Sequence, residues 1–191
     1  MKYVLFFLLM APVYSFAAID VAFIELRGHD GQLVQLEPNG RFAHVAISYQ
    51  GGWLHSHPCR GVEVISEDAL EKMGSIKAII TIPDLNPLDE TQVEKFLGKP
   101  YDHNFLWGDD KIYCAELFAK TVGKLLNIHP QPMTFASEFW PRRFWNFRGE
   151  LGISPDDIFL ALKQKGYRER GLLKNCSKLL STSTIAPALE F

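Results

Sequence analysis

The sequence lacks an excess of charge of either sign, since 20 Lys and Arg stand against 22 Asp and Glu for a formal net charge of −2 over 191 residues. That balance removes the basic footprint by which a chain binds nucleic acid, and no nucleic-acid partner is expected. Cysteine is scarce, with three in the whole chain, an odd number whose spacing matches no disulfide framework. Internal repeats, linkers and low-complexity stretches are absent too, so a second domain is not supported. Beyond the first residues no apolar run is long enough to cross a bilayer, so no stable membrane span is expected after them. What is there is ordinary globular material, 47% hydrophobic and 22% charged, long enough to bury one core without metal or disulfides.

The first eighteen residues differ from the rest. Lys2 precedes an apolar run over residues 3–10, and Ser15-Phe16-Ala17-Ala18 follows. A short positive end, an apolar stretch too short to span and a small-x-small site describe a cleavable signal peptide over residues 1–18, leaving a single domain over 19–191. A periplasmic or secreted location is the expectation. Export places Cys59, Cys114 and Cys176 where disulfides persist, and because three is odd at least one thiol is expected to be free. Whether Cys59 and Cys176 pair is open.

Strands are expected over residues 32–36, 43–50, 53–57, 62–65 and 77–82. Gly51-Gly52 is placed as a two-residue hairpin loop, which sets Ser48 opposite His55 and Ala46 opposite His57. Alternation then puts His44, Ala46, Ser48, His55 and His57 on one face, with Val45, Ile47, Tyr49 and Leu54 on the other. Helices are expected over 67–73, capped by Ser66, over 89–97, and over 111–126, capped by Asp109 or Asp110. The stripe Cys114, Leu117, Phe118, Val122 and Leu125 supports the third of these. Residues 135–147 are aromatic and basic, suited to core or lid and, if exposed, to a sugar or acyl chain, with Arg142 and Arg143 for a carboxylate or phosphate. Ser154-Pro155-Asp156-Asp157 starts a last helix, and the tail over 177–191 carries no periodic signal.

A cysteine in the first turn of a helix is favoured as thiolate by unpaired backbone N–H groups. Cys114 has that place, although a buried cysteine is equally at home in a core. A nucleophile needs a base in reach, and the base needs a third polar group to hold its tautomer. His44 and His55 or His57, sharing one face of the hairpin, offer such a pair. Zinc is a competing use of His44, His55, His57 and Cys59. Ligands spaced along two strands do not converge on one tetrahedral centre without rearrangement, and no metal or other cofactor is expected.

The segment Ala43-His44-Val45-Ala46-Ile47 through Trp53-Leu54-His55, with Gly61-Val62 after it, resembles the histidine-bearing hairpin of NlpC-type cell-wall peptidases. Gly98-Lys99-Pro100-Tyr101-Asp102 and Tyr113-Cys114-Ala115-Glu116-Leu117 are similar to the cysteine motif of that superfamily's circularly permuted, papain-like branch (YiiX/YebB-like), in which histidine precedes cysteine. The resemblance spans about residues 32–122, with Ala46 and Ala115 in places where the family has glycine and serine. It implies an α+β papain-like fold, an antiparallel sheet packed on the cysteine helix. It also implies Cys114 as nucleophile, His44 as base, His55 as orienter with His57 in reserve, and Tyr101 as a second hydrogen-bond donor near the substrate. Asp102 and Glu116 are read as structural. The activity implied is amide hydrolysis through a thioester, on cell-wall peptide. Two alternatives stay open: a lipid acyl amidase, thioesterase or acyltransferase using the same residues, and a binding protein that kept the fold without the chemistry.

Overall fold

In the computed structural model, residues 18–134, 140 and 142–170 are described. Residues 1–17, where a signal peptide is expected, the aromatic positions Phe135 and Phe139, Pro141, Cys176 and the tail lie outside the described residues. Six strands form one antiparallel sheet in the order β4-β3-β2-β1-β5-β8. These are β1 (Ala18–Glu25), β2 (His44–Tyr49), β3 (Gly52–His57), β4 (Gly61–Ile65), β5 (Ser75–Pro83) and β8 (Glu169–Arg170). A two-stranded ribbon pairs β6 (Gln131–Pro132) with β7 (Leu151–Gly152). The helices are α1 (Glu67–Met73), α2 (Glu90–Glu94), α3 (Cys114–Phe118) and α4 (Pro155–Gln164). The chain is thus α+β.

Strand β1 is central, between β2 and β5, and both its faces are covered. Val21 and Phe23 join the larger core with Val45, Ile47, Leu54, Ile80, Leu117, Phe118 and Ile158, whereas Ala22 and Ile24 join a smaller one with Ala46, Trp53, Leu70 and Ile79. A strand buried on both faces reads as a continuous apolar run, and this one follows directly on the apolar leader. It is not among the strands expected from the sequence. The strand expected over residues 32–36 is not formed. Those residues run as irregular chain with a single bridge from Leu33 to Arg27, because their polar positions do not alternate into a sheet edge.

Capping chemistry places the helices that frame the sheet. Ser66 accepts from Ala69 N–H at 3.3 Å ahead of α1, and Ser154 accepts from Asp157 N–H at 3.1 Å ahead of α4, with Pro155 in its first turn. The cysteine helix departs from expectation. It begins at Cys114, not near residue 111, and neither Asp109 nor Asp110 caps it: Glu116 reaches back to the N–H of Tyr113, and Asp109 pairs with Lys120 at 2.7 Å. Past Phe118 it widens into a π-helical turn over Ala119–Gly123.

The hairpin turns on Gln50 and Gly51 (φ 47° and 77°), not on Gly51-Gly52, so the pairing is Ile47↔Leu54, Ser48↔Trp53 and Tyr49↔Gly52. A shift of two residues preserves both faces. The decisive feature is how short this ladder is. Strand β2 stays paired with β1 down to Ile24↔His44, and β3 with β4 down to His57↔Gly61, yet β2 and β3 pair only as far as Ile47↔Leu54. Beyond that point the two strands part, and residues 112–115 enter the opening. Ser56 Oγ donates to Ile112 O at 2.5 Å, and the Val45 N–H donates to the Cys114 sulfur.

Residues 98–101 close the open end. Val62 N–H donates to Lys99 O at 2.9 Å, Gly98 N–H to Val62 O at 2.8 Å, and Ile112 N–H to Pro100 O at 3.0 Å. Gly61 has φ 77°, and a Cβ there would collide with the Lys99 carbonyl; Gly51 has the same φ with open space around it. Gly51→Ala is therefore expected to cost about 1 kcal/mol for its backbone conformation alone. Gly61→Ala is expected to cost roughly 2–4 kcal/mol in urea unfolding, and equal losses at the two positions would contradict the close approach of residues 98–101 to β4.

Candidate functional site

The parted strands bring the candidate residues together. His44 opens β2, His55 and His57 end β3, and Cys114 opens α3, all four nearly fully buried. His44 Nε2 lies 3.0 Å from His55 Nδ1, and His55 Nε2 lies 3.2 Å from Glu63 Oε1. Glu63, on β4 directly opposite His55, is gripped by Arg60 through Nε (2.8 and 3.0 Å) and Nη2 (2.6 Å).

This chain fixes the tautomers. Partial burial works against the charge on Glu63, but the Arg60 hydrogen bonds and charge, with His55, hold it below the usual carboxylate range. An ionised carboxylate only accepts, so His55 donates from Nε2. Burial pushes His55 down to about 4 against the pull of Glu63, so the ring is neutral at pH 7 and its Nδ1 accepts. His44 then donates from Nε2. Burial, reinforced by His55 and His57, holds His44 well below the usual imidazole range, which leaves its Nδ1 as a bare lone pair. The arrangement makes His44 a neutral base whose free nitrogen is set two hydrogen bonds away by Glu63.

Around Cys114 the donors converge. The backbone N–H groups of Val45 and Ala115 and the hydroxyl of Tyr101 lie near its sulfur and favour charge on it. Tyr101 is held there by the 98–101 crossing and packs against His103 and Phe105, with ring centroids 5.1 and 6.2 Å away. These donors favour the thiolate, but burial outweighs them and pushes the thiol up to about 11. The lowering expected from a helix first turn is thus outweighed, because the sulfur is withdrawn from water. At rest the sulfur is a thiol and His44 is a neutral imidazole.

His57 does not take the orienting place. Its Nδ1 accepts from Cys59 N–H at 3.0 Å in the β3–β4 turn, and its ring stands edge-on to His55 at 6.0 Å. Cys59 itself is exposed. Among the described residues no group of three or more His, Cys, Asp or Glu could hold a metal ion, and the ring nitrogens of His44 and His55 face each other instead of a shared centre. Asp102 accepts from the N–H groups of Asn104 (2.9 Å) and Leu106 (2.7 Å) and shapes that loop. Glu116, completely buried, ties Gly108 N–H (3.0 Å), Tyr113 N–H (3.4 Å) and Lys120 Nζ (2.9 Å) to the cysteine helix; burial raises it to about 7 against the pull of Lys120.

Sequence reasoning missed Glu63, Arg60 and the Val45 amide. Both strands carrying His55 and Glu63 were legible, and a register through the 58–60 turn would have set the two side by side. A backbone amide released from a ladder leaves no mark in the sequence.

A thiol buried at about 11 reacts slowly at neutral pH with a reagent that cannot recruit the base. Alkylation of Cys114 by iodoacetamide, followed by peptide mass mapping, is expected to rise steadily from pH 7 through pH 10. Exposed Cys59 serves as the internal reference. A plateau for Cys114 by pH 7 would contradict the resting thiol.

No family model matches the chain. A stretch of 46 residues is 37% identical to the uncharacterized protein YiiX of Escherichia coli (strain K12), covering 24% of this chain and 23% of that protein, so the match spans about a quarter of the relative's length. In structure the chain is similar to the crystal structure of metalloprotein YiiX from Escherichia coli O157:H7, with TM-score 0.53 and 18% identity over 76% of this chain and 93% of that one. The chain is thus similar to YiiX over a short stretch of sequence and in its α+β fold.

Proposed function

We propose that the protein is a cysteine hydrolase of papain-like chemistry, with Cys114 as nucleophile and His44 as general base. The observation that carries the reading is the His44–His55–Glu63 chain, which presents a neutral imidazole with a free Nδ1 at the end of the strand whose Val45 amide binds the Cys114 sulfur.

In this mechanism the Cys114 proton passes to His44 Nδ1 as the sulfur attacks the substrate carbonyl carbon. The carbonyl electron pair moves onto oxygen, and backbone N–H groups at the start of α3, with the Tyr101 hydroxyl, are the available donors for that oxyanion. Collapse breaks the bond to the leaving amine, which takes the proton from His44, and leaves a thioester on Cys114. Water then gives a proton to His44 and attacks the thioester, releasing the acid and restoring the thiol. Glu63 never touches substrate. It is a positioning residue, holding His55 in the tautomer that accepts from His44, and Arg60 keeps it ionised. His57 and Tyr101 border the approach to the same centre.

The leader-like first eighteen residues support an exported enzyme, and the resemblance to NlpC-type peptidases supports an amide-bearing cell-wall peptide or a related acyl amide as substrate.

Cys114→Ala and His44→Ala are each expected to lower kcat on amide or ester substrates by about a thousandfold or more while leaving the fold intact. Glu63→Gln is expected to lower kcat by about 10- to 100-fold with KM within about twofold, because it disturbs only the orientation of the base. A base held well below 6.5 stays unprotonated as pH falls, so wild-type kcat/KM should stay level from pH 8 down to about 6.5 and decline only at lower pH. Full activity in Cys114→Ala, or an acid limb above pH 7, would overturn the assignment.

A further inference from the structure

Residues 139–149 carry three arginines and no Asp or Glu, in a chain whose formal net charge is −2; Glu138 and Glu150 flank them. Within this stretch lies a 3-10 helix, Arg142–Phe147. Side chains three apart line up on such a helix, so it presents rows. One row holds Phe144, buried against Trp140 and Phe105 with ring centroids 4.8 and 5.9 Å away, and the half-buried Phe147. Another runs past the helix end as Arg142, Trp145 and Arg148, all exposed, with Trp145 40% open to solvent. The guanidinium carbons of Arg142 and Arg148 lie over the indole ring, 5.7 and 5.0 Å from its centroid. Among the described residues neither arginine pairs with a carboxylate, unlike Arg41, Arg60 and Arg170.

We propose that the Arg142–Trp145–Arg148 row is a docking surface for an anionic phospholipid bilayer. Charge and ring geometry together select this partner. Two guanidinium groups without carboxylates call for anions, and their planar forks match phosphate oxygens two at a time. A soluble polyanion such as a nucleic-acid strand uses aromatic side chains by stacking on an open ring face. The ring of Trp145 already carries two guanidinium groups, so what it offers is its edge. An indole, apolar in body and polar at its N–H, settles at the headgroup level of a membrane, and cation–π contact keeps each guanidinium partnered as it leaves water. The row has a fixed base. Phe144, next to Trp145, is held in the cluster with Phe105 and Trp140, and Phe105 packs on Tyr113 at 5.4 Å, the residue directly before Cys114. Docking here ties the start of α3 to the bilayer through one aromatic cluster, and it holds whether or not Cys114 is a nucleophile.

Co-sedimentation of the full-length protein with vesicles tests this, using phosphatidylcholine alone and phosphatidylcholine mixed with an equal part of phosphatidylglycerol. Binding to the mixed vesicles is expected to be at least tenfold tighter and to weaken about tenfold when salt is raised to about half molar. Arg142→Gln and Arg148→Gln should each weaken it about fivefold, the contribution of one basic side chain near such a surface. Trp145→Ala should weaken it about fivefold and abolish the blue shift of tryptophan emission on binding. Every variant keeps the same first eighteen residues, so differences among them report the row and not the apolar run. Should Trp145→Ala not fold, the arginine variants decide. Equal binding to neutral and anionic vesicles, or a double arginine variant that binds as the wild type does, overturns the proposal. So does arginine-dependent binding that Trp145→Ala leaves unchanged and that dextran sulfate in solution matches, which gives the row to a soluble polyanion.

Discussion

Everything at the candidate centre depends on two neighbouring strands failing to stay paired. Past Ile47 and Leu54, β2 keeps its bonds to β1 and β3 keeps its bonds to β4, so neither strand frays although the ladder between them has ended. The opening exposes backbone groups that a buried sheet cannot leave without partners. Residues 112–115 meet that demand, with Ile112 O taking the Ser56 hydroxyl and the Cys114 sulfur taking the Val45 N–H. The same opening lets the rings of His44 and His55 reach across to each other. One departure from regular sheet geometry thus positions the thiol, its donors and the two imidazoles.

Burial sets the chemical character of this arrangement. Withdrawn from water, the thiol and both imidazoles prefer their neutral forms, and the groups that resist this preference are few: the Val45 and Ala115 amides and a phenol near the sulfur, one carboxylate at the far end of the histidine chain. The charge that can be maintained near the centre is the one on Glu63, because it lies at the edge and Arg60 grips it from solvent. Orientation information therefore enters from the protein surface and travels inward through two hydrogen bonds. The proton has to move during reaction, since the resting pair carries no thiolate.

Much of this was legible in the sequence, for reasons that can be named. The Ser66 and Ser154 caps, the β2–β3 hairpin and the β4 and β5 strands all follow from local chemistry, which tertiary contacts did not override. Facing was robust as well: the hairpin turn was misplaced by one position and its pairing by two residues, and an even shift returns every side chain to its own face. What escaped was non-local. Strand β1 carries no alternation because it is buried on both sides. Helix α3 starts late because the opening in the sheet, not a capping aspartate, receives its first residue. Glu63 came to His55 only through a register that the 58–60 turn decides. The lowered thiol expected from helix position gave way to burial, a quantity that sequence position does not report.

The most direct test of the account is whether an acyl group is found on Cys114 during turnover. Rapid acid quenching of the protein with p-nitrophenyl butyrate, followed by intact-mass measurement and peptide mapping, should show one butyryl adduct, on Cys114, absent from His44→Ala. Turnover with no adduct on Cys114, or with the adduct on another residue, would contradict it.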